Sequence, residues 1–461
     1  MQKIFEEVQS LDQKCYEKFA LSEDILMEHA AEYLAQSIRK RVKKRSAIVF
    51  LCGPGNNGGD GIACARILHK EYKVSIVLPY GAKSKMARLQ LKRYELVGGQ
   101  IDDLVGGAQV YIDALFGSGL SKKLDEKSCK IIKYINAQEA IKISCDIPSG
   151  IGNSFISDEV FRADISISMG AFKLSMFEDF AKDFIGDIEV ANLGVSRDIY
   201  EEESDIYLLE KEDMNLPFRD KKNTNKGSFG HTCIVAGDKS GAAVLAGTSA
   251  LNFGSGLVTI KTRDSFFVPP YLMYSKSIPK NTTSVVIGMG LGDVRVDFEI
   301  LSAGNYPLVI DADIFYDTNL PRLLKERKDV VLTPHPKEFA SLLGICGLAK
   351  AEAKDIQLNR FKYVRIFMDH FPDVTLALKG ANTIIANKKQ IYISTEGTNI
   401  LSKGGSGDVL SGMIGSLLAQ GYSGKDATIT AVLAHSIASN RVKYNNYALN
   451  PMDICKEIKC L

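Results

Sequence analysis

The sequence predicts an α/β protein of two domains, and three observations carry that reading. Short, almost continuously apolar runs alternate with helix-like stretches, the pattern of parallel strands covered by helices on both faces. The rhythm runs twice, interrupted at residues 195–228 by a polar, charged segment with few apolar runs. Glycine-rich turns follow several of the runs, where open parallel sheets bind their ligands. A length of 461 residues suits two or three domains of ordinary size. The boundary is placed at 212/213, giving domains 1–212 and 213–461.

Residues 1–38 read as two helical pieces. Ser22 is a cap for the second, with Ile25, Leu26, His29, Ala30, Tyr33 and Leu34 on one face. The basic run Arg39 to Arg45 (RKRVKKR) reads as a solvated helix end favoured by the helix dipole. Strand-like runs then follow at 47–52, 74–79, 109–113, 141–146, 164–168 and 188–191. The first leads into Gly53–Gly61 (GPGNNGGDG), followed by a helix-like segment from Ile62 to Lys70.

Strand, glycine-rich turn and helix is the layout of an anion-binding turn. No Lys-Ser/Thr pair closes it, so it is not a Walker loop. Asn56, Asn57 and Asp60 are oxygen donors, suited to a hydroxylated ligand or a cation more than to bare phosphate. Any cluster of Gly, Asn and Asp would also serve as a plain turn. The other strand ends in this half are similar. Asp113 precedes ALFGSGLSKK, Asp146 precedes IPSG, and MGAFK follows 164–168. Four such ends side by side make one pocket.

The second half offers strands at 231–236, 257–261, 284–288, 307–311, 330–333 and 374–378, then a hairpin at 383–386 and 390–394. Helices are expected at 240–253, 336–344, 357–370, 407–420 and 425–443. Polar groups again gather in the loops: Gly288–Gly292, Asp311–Asp313, Thr333–Glu338 and Lys379–Thr383. The sharpest signal is Lys403–Gly412 (KGGSGDVLSG). Its backbone N–H groups from Gly405 to Gly407 form a candidate anion hole, with Asp408 in the first helical turn as a candidate base. An acid stabilising a helix N-terminus is the plainer alternative. His335 between two prolines faces either a ligand or its own turn.

Composition excludes several classes. The chain is 45% hydrophobic and 24% charged with a net charge of +2, so no global field favours nucleic acid or membrane. Nine cysteines form no CxxC pair, and Cys52, Cys64, Cys145 and Cys233 lie in apolar runs, as buried thiols of a reducing cytoplasm would. The opening MQKIFEEVQSLDQK lacks an apolar signal core, and no run approaches the roughly 20 apolar residues of a membrane span. A cytoplasmic protein is expected. Six histidines without paired Cys/His spacing argue against zinc.

Taken together, the motifs resemble those of the bifunctional NAD(P)H-hydrate repair enzymes over nearly the whole chain. The first half resembles the NAD(P)HX epimerase domain, of Rossmann-like three-layer α/β fold, through GPGNNGGDG, IDALFGSGL (112–120), CDIPSG (145–150) and MGAFK (169–173). The second resembles the ADP-dependent NAD(P)HX dehydratase domain, of ribokinase-like fold. The motifs there are GAAVLA (241–246), GMGLG (288–292), TPHPKE (333–338), KGANT (379–383) and GGSGDVLSG (404–412).

The resemblance implies roles. In the epimerase half Asn56, Asn57, Gly58, Gly59 and Asp60, with Gly117, Ser118, Gly119, Leu120, Ser121, Lys122 and Lys123, would hold the hydrated nucleotide. Asp146 would be both a substrate contact and the acid–base group; Asn57, Asp113 and Ser149 would ligate K+. In the dehydratase half Ala242, Gly290, His335 and Asp408 would meet NAD(P)HX, with Asp408 catalytic. Lys379, Gly380, Ala381, Asn382, Thr383 and Gly407 would meet ADP, carried with Mg2+. A homo-oligomer acting on NADHX and NADPHX is implied, with no nucleic-acid or membrane partner. Two departures stand out. PPYLMY follows Val268, with Tyr271 where an acid is expected, and a ribokinase-type Asn-x-x-Glu is absent, its place taken by His335 to Glu338. The alternative is a small-molecule hydroxyl kinase fused to a non-catalytic binding or scaffold module.

Overall fold

The computed structural model describes residues 1–103, 106–263 and 266–461. The chain forms two compact units: Lys3–Ser204, and Asp205–Leu461 together with Met1–Gln2. The division falls earlier than the expected 212/213. The short strand Ile206–Leu208, in the polar stretch 195–228 where the sequence predicts no strand, pairs in parallel with Gln390–Ser394 and so belongs to the second unit.

The sheet of the first unit has the order Lys73–Val77, Ala47–Cys52, Val110–Ala114, Ile141–Cys145, Ile165–Met169, Asp187–Ala191, with every pairing parallel. The continuous apolar runs are explained by burial on both faces. Ile48, Phe50 and Cys52 enter one core while Val49 and Leu51 enter another, as the two-residue period of a strand dictates. The four glycine-bearing strand ends are neighbours in this order, as the sequence implies. A strand missed by pattern, Gln2–Phe5, pairs with Phe172–Lys173 of the MGAFK motif.

Two local differences have clear causes. The helix after the first glycine turn begins at Asn56, not Ile62, and runs to Leu68. Three glycines make an unpromising helix start by propensity, but tertiary packing requires them. A Cβ on Gly58 would lie 1.9 Å from the Gly53 carbonyl oxygen, and one on Gly53 would lie 1.7 Å from that of Leu115. Replacing Gly58 with alanine is therefore expected to destabilise the first unit by about 1–3 kcal/mol, read as an earlier urea midpoint for loss of its activity. Ser22 does cap Glu23–Arg41, accepting the Ile25 N–H at 3.4 Å, but the buried face is turned from the expected one. Met27, Ala31 and Ala35 are buried with Leu26, Ala30 and Leu34, while Ile25 is 40% exposed. Alanines carried too little hydrophobic weight to mark that face. The basic run ends this helix, with Arg39 paired to Glu71 and Arg41 to Glu189.

In the second unit the order is Met273–Ser275, Leu257–Lys261, His231–Val235, Ser284–Ile287, Leu308–Ile310, Val330–Leu332, Thr375–Leu378, Thr383–Asn387, Gln390–Ser394, Ile206–Leu208. Pairing is parallel as far as Thr375–Leu378, and the hairpin then runs antiparallel as expected. The edge strand Met273–Ser275 begins at the end of PPYLMY, and the Tyr271 hydroxyl sits 3.3 Å from that of Thr248. The expected helix 357–370 is two, Ala353–Leu358 and Arg360–His370, broken at Asn359. The loops after Val235, Ile287, Ile310, Leu332 and Leu378 all leave carboxyl ends of parallel strands. The GGSGD helix, Ser406–Ala419, packs tightly on Ser240–Asn252: a Cβ on Gly412 would lie 2.1 Å from the Ala246 carbonyl oxygen.

Candidate active sites

A cavity of about 360 Å³ opens at the strand ends of the first unit, lined by Asn56, Asn57, Asp60, Gly117, Ser118 and Asp146 among others. Asp146 follows the strand Ile141–Cys145 in a left-handed conformation, with φ of 72°. A non-glycine residue bears that strain only where its surroundings impose it. Here the carboxylate is tied on both oxygens. Oδ1 accepts from Lys173 Nζ at 2.5 Å and from the Met169 N–H at 3.3 Å; Oδ2 accepts the Ser118 N–H at 2.9 Å. Lys173, 2% exposed, also donates to the Met169 carbonyl at 2.9 Å and to Ser168 Oγ at 3.1 Å. All three ammonium protons thus have acceptors. Lys173 comes from the MGAFK motif, whose lysine has no role in the sequence reading.

Asp113 lies one strand away, fully buried. It accepts the N–H groups of Leu115 and Ser149 at 3.1 and 2.7 Å and the Ser149 hydroxyl at 2.7 Å. Burial pushes its carboxyl up to about 6, against the pull of those hydrogen bonds. Ser149 Oγ also accepts the Phe116 N–H at 2.9 Å. Asn57 is placed beside Gly117, where a Cβ would lie 3.4 Å from its Oδ1, and neither side-chain polar atom of Asn57 has a hydrogen-bond partner. Asn57 Oδ1 is thus a buried amide oxygen without a donor in the cavity that Asp146 also lines, an unmet demand for a polar or cationic partner. Asn56 donates to Glu23 at 2.6 Å. Burial and then the charge of Asp146 hold Asp60 well above the usual carboxylate range. Gly58 and Gly59 pack inward, and Gly119 and Leu120 complete the rim. Ser121, Lys122 and Lys123 are exposed outside the cavity lining, and Lys123 pairs with Asp158 at 3.0 Å.

The second unit gathers its polar residues likewise. Gly405 caps the helix Ser406–Ala419 with φ of 94°, a conformation that favours glycine, and Asp408 lies in the first turn. Burial, reinforced by Asp311 and opposed by Lys379, pushes the Asp408 carboxyl up to about 6. Lys379 Nζ donates to Asp311 Oδ1 at 2.8 Å, and Ser411 Oγ donates to Asp311 Oδ2 at 2.8 Å. A Cβ on Gly407 would lie 3.4 Å from Lys379 Nζ, so these groups share one locus. Glu338 stands 4.0 Å from the same ammonium.

His335 caps its own helix. Its Nδ1 accepts the N–H groups of Lys337 and Glu338 at 3.1 and 3.2 Å, and Nε2 lies 3.2 Å from Glu338 Oε1. The turn role and the ligand role are thus compatible, since the ring remains half exposed. Burial and nearby Lys379 depress its pKa. Gly290 abuts Ala242: a Cβ at Gly290 would lie 3.3 Å from that of Ala242. The Lys379–Thr383 loop is held from beneath by Arg360, which is fully buried. Its guanidinium donates to the carbonyls of Asn382 at 2.6 Å, Leu378 at 2.9 Å and Lys379 at 3.3 Å. Sequence reasoning missed Arg360, and placed Asp311 among the polar loop residues without giving it a role. The first looks like any surface helix charge, and the second differs from a helix cap only once Lys379 and Ser411 are seen beside it.

Comparison with known proteins follows the same division. A family profile described as NAD(P)H-hydrate dehydratase matches residues 232–460, and one described as YjeF-related protein N-terminus matches residues 23–175. A bifunctional NAD(P)H-hydrate repair enzyme of Helicobacter pylori is 40% identical over 474 residues, with 100% of both chains covered. That of Coxiella burnetii is 32% identical over 453 residues, covering 91% of each chain. Among solved structures, an ADP/ATP-dependent NAD(P)H-hydrate dehydratase from Bacillus subtilis, co-crystallised with ATP and Mg2+, is 25% identical. It covers 55% of this chain and 96% of its own, with a TM-score of 0.47.

Proposed function

Because the chain belongs to the bifunctional NAD(P)H-hydrate repair enzyme family, we propose that its first unit interconverts R- and S-NAD(P)HX, and its second dehydrates the S form with ADP, giving NAD(P)H, AMP and phosphate. NAD(P)HX is reduced nicotinamide with water added at C6. In the first unit Asp146 is the acid–base group at C6, and the observation that carries this is its double tether beside the cavity. A carboxylate held by Lys173 and the Ser118 N–H cannot swing away from a bound ring. Asn57, Asp113 and Ser149 would hold K+, whose charge would order the Phe116–Gly117 turn. Exchanging K+ for choline at constant ionic strength is expected to slow epimerisation and to lower the melting temperature of the first unit. Equal values in both salts would remove the cation from the site.

In the second unit Asp408 takes the proton of the C6 hydroxyl, which attacks the terminal phosphoryl group of ADP. The N–H groups at the start of Ser406–Ala419, with Lys379, stabilise the charge on that group. The ring nitrogen lone pair then expels phosphate to form N1=C6, and loss of a C5 proton to water or the departing phosphate restores the C5=C6 double bond and returns the pair to N1. Asp311 is already engaged by Lys379 and Ser411, so Mg2+ would be carried mainly by the nucleotide phosphates and water. The fused halves make the whole R/S pool repairable.

The test is an R/S-resolved repair assay with ADP or ATP. Asp146→Asn is expected to abolish most R-to-S conversion while S-form dehydration continues. Unchanged turnover would remove Asp146 from the mechanism. A stable phosphorylated product in place of NAD(P)H would favour the hydroxyl-kinase alternative.

A further inference from the structure

The first cavity contains another carboxyl group to which the family motifs give no role. Asp12 lies in the first turn of the helix Gln9–Lys18 and lines the same cavity as Asp146 and Lys173. Its Oδ1 accepts the Tyr200 hydroxyl at 2.7 Å. Tyr200 is 2% exposed and seated over the MGAFK turn: a Cβ on Gly170 would lie 2.5 Å from the tyrosine hydroxyl. Asp12 is thus aimed by a wedged phenol, much as Asp146 is aimed by Lys173. Asp12, Asp60 and Asp146 all line the cavity, and of these Asp12 and Asp146 reach it from different elements, each with its own orienting partner.

Their surroundings differ. Asp146 has a cation against it. Asp12 is held above the usual carboxylate range by burial, with the charges of Asp146 and Glu23 adding to the effect and Tyr200 and Lys173 opposing it. Asp60 feels Asp12 as well, and Cys15 and Tyr16 on the same helix are the other titratable groups within its influence. Two carboxyl groups with such unlike partners in one cavity are placed to divide acid and base duties between them.

We propose that Asp12 is the second acid–base residue of the epimerase reaction, serving the face of C6 that Asp146 does not. This rests on epimerisation, and on Asp146, being correctly placed in this cavity. In one direction Asp12 gives its proton to the C6 hydroxyl as the C6–O bond breaks. That bond's electron pair departs with the oxygen as water, and the N1 lone pair forms N1=C6. On the other face a water oxygen bonds to C6, Asp146 takes its proton, and the N1=C6 pair returns to N1. The configuration is inverted and one proton has moved from Asp12 to Asp146. Turnover in the opposite direction, or exchange with solvent, restores it.

The experiment compares Asp12→Asn, Tyr200→Phe and Asp146→Asn in the full chain, following R/S interconversion against pH. Asp12→Asn is expected to lower kcat about 100-fold or more with little change in KM, and to erase the alkaline limb of the profile. ADP-dependent dehydration by the same chain should persist. Tyr200→Phe removes a hydrogen bond that favours the ionised Asp12, so its alkaline limb should move to higher pH. A purely structural Asp12 would leave that limb in place. Wild-type kcat in Asp12→Asn, or an unmoved limb in folded Tyr200→Phe, would overturn the proposal. If Asp146→Asn is also unaffected, the reading of the cavity itself has failed; if only Asp12→Asn is unaffected, this inference alone has.

Discussion

Asp408→Asn is expected to reduce the ADP-dependent regain of NAD(P)H absorbance by about 100- to 10,000-fold, the usual worth of a positioned general base. S-NAD(P)HX and ADP should still bind, because the amide keeps the shape of the acid. The wild-type rate should fall as pH drops through about 6, where the raised carboxyl of Asp408 takes up its proton. Loss of activity in the variant would not reflect misfolding. An aspartate whose folded-state pKa lies above its unfolded value binds its proton more tightly when folded. Its ionisation therefore costs stability as pH rises through the window from the ordinary 3.8 to about 6. Above that window the asparagine variant is expected to melt no lower than the parent. A variant with full dehydratase turnover would reduce Asp408 to the acid of a helix N-terminus.

Arg360 poses the complementary question in the same unit. Replacing it with methionine strands the carbonyls of Leu378, Lys379 and Asn382, so the Lys379–Thr383 loop should loosen. The expected signature is a raised KM for ADP out of proportion to that for S-NAD(P)HX, with partial rescue by lysine. Equal increases in both would mean that Arg360 supports the unit as a whole.

The polar, glycine-rich ends of both sheets were legible because strand-end chemistry is local. An apolar run followed by Gly, Asn and Asp announces itself within ten or so residues, and a parallel sheet brings such ends together automatically. What escaped depends on distance in the chain. Lys173 becomes meaningful only through Asp146, and Asp12 only through Tyr200. Asp311 needs Lys379 and Ser411 to distinguish it from a cap. Short strands such as Ile206–Leu208 escaped for another reason: three residues cannot establish a period. The helix start at Asn56 was hidden by its glycines, which propensity reads as a loop and packing requires as a close approach to Gly53.

Lys173→Met is expected to have the largest effect on stability. The Lys173 and Asp146 side chains are 3% and 8% exposed, so the variant leaves a carboxylate largely out of water without its cation. Truncating one member of such a pair costs about 3–5 kcal/mol, which an equilibrium urea titration of the first unit should register as a clear drop in midpoint. Replacing both partners, Lys173→Met with Asp146→Asn, removes the stranded charge and should recover much of that loss. Both variants should nevertheless be poor epimerases, one with Asp146 misaimed and the other with no carboxylate. Stability and activity would then separate: the double variant folds and does not invert C6. A double variant as unstable as Lys173→Met alone would mean that the lysine serves the packing around Ser168 and Met169 more than the carboxylate. The 2.5 Å contact would then be an incidental pairing and not the device that aims Asp146.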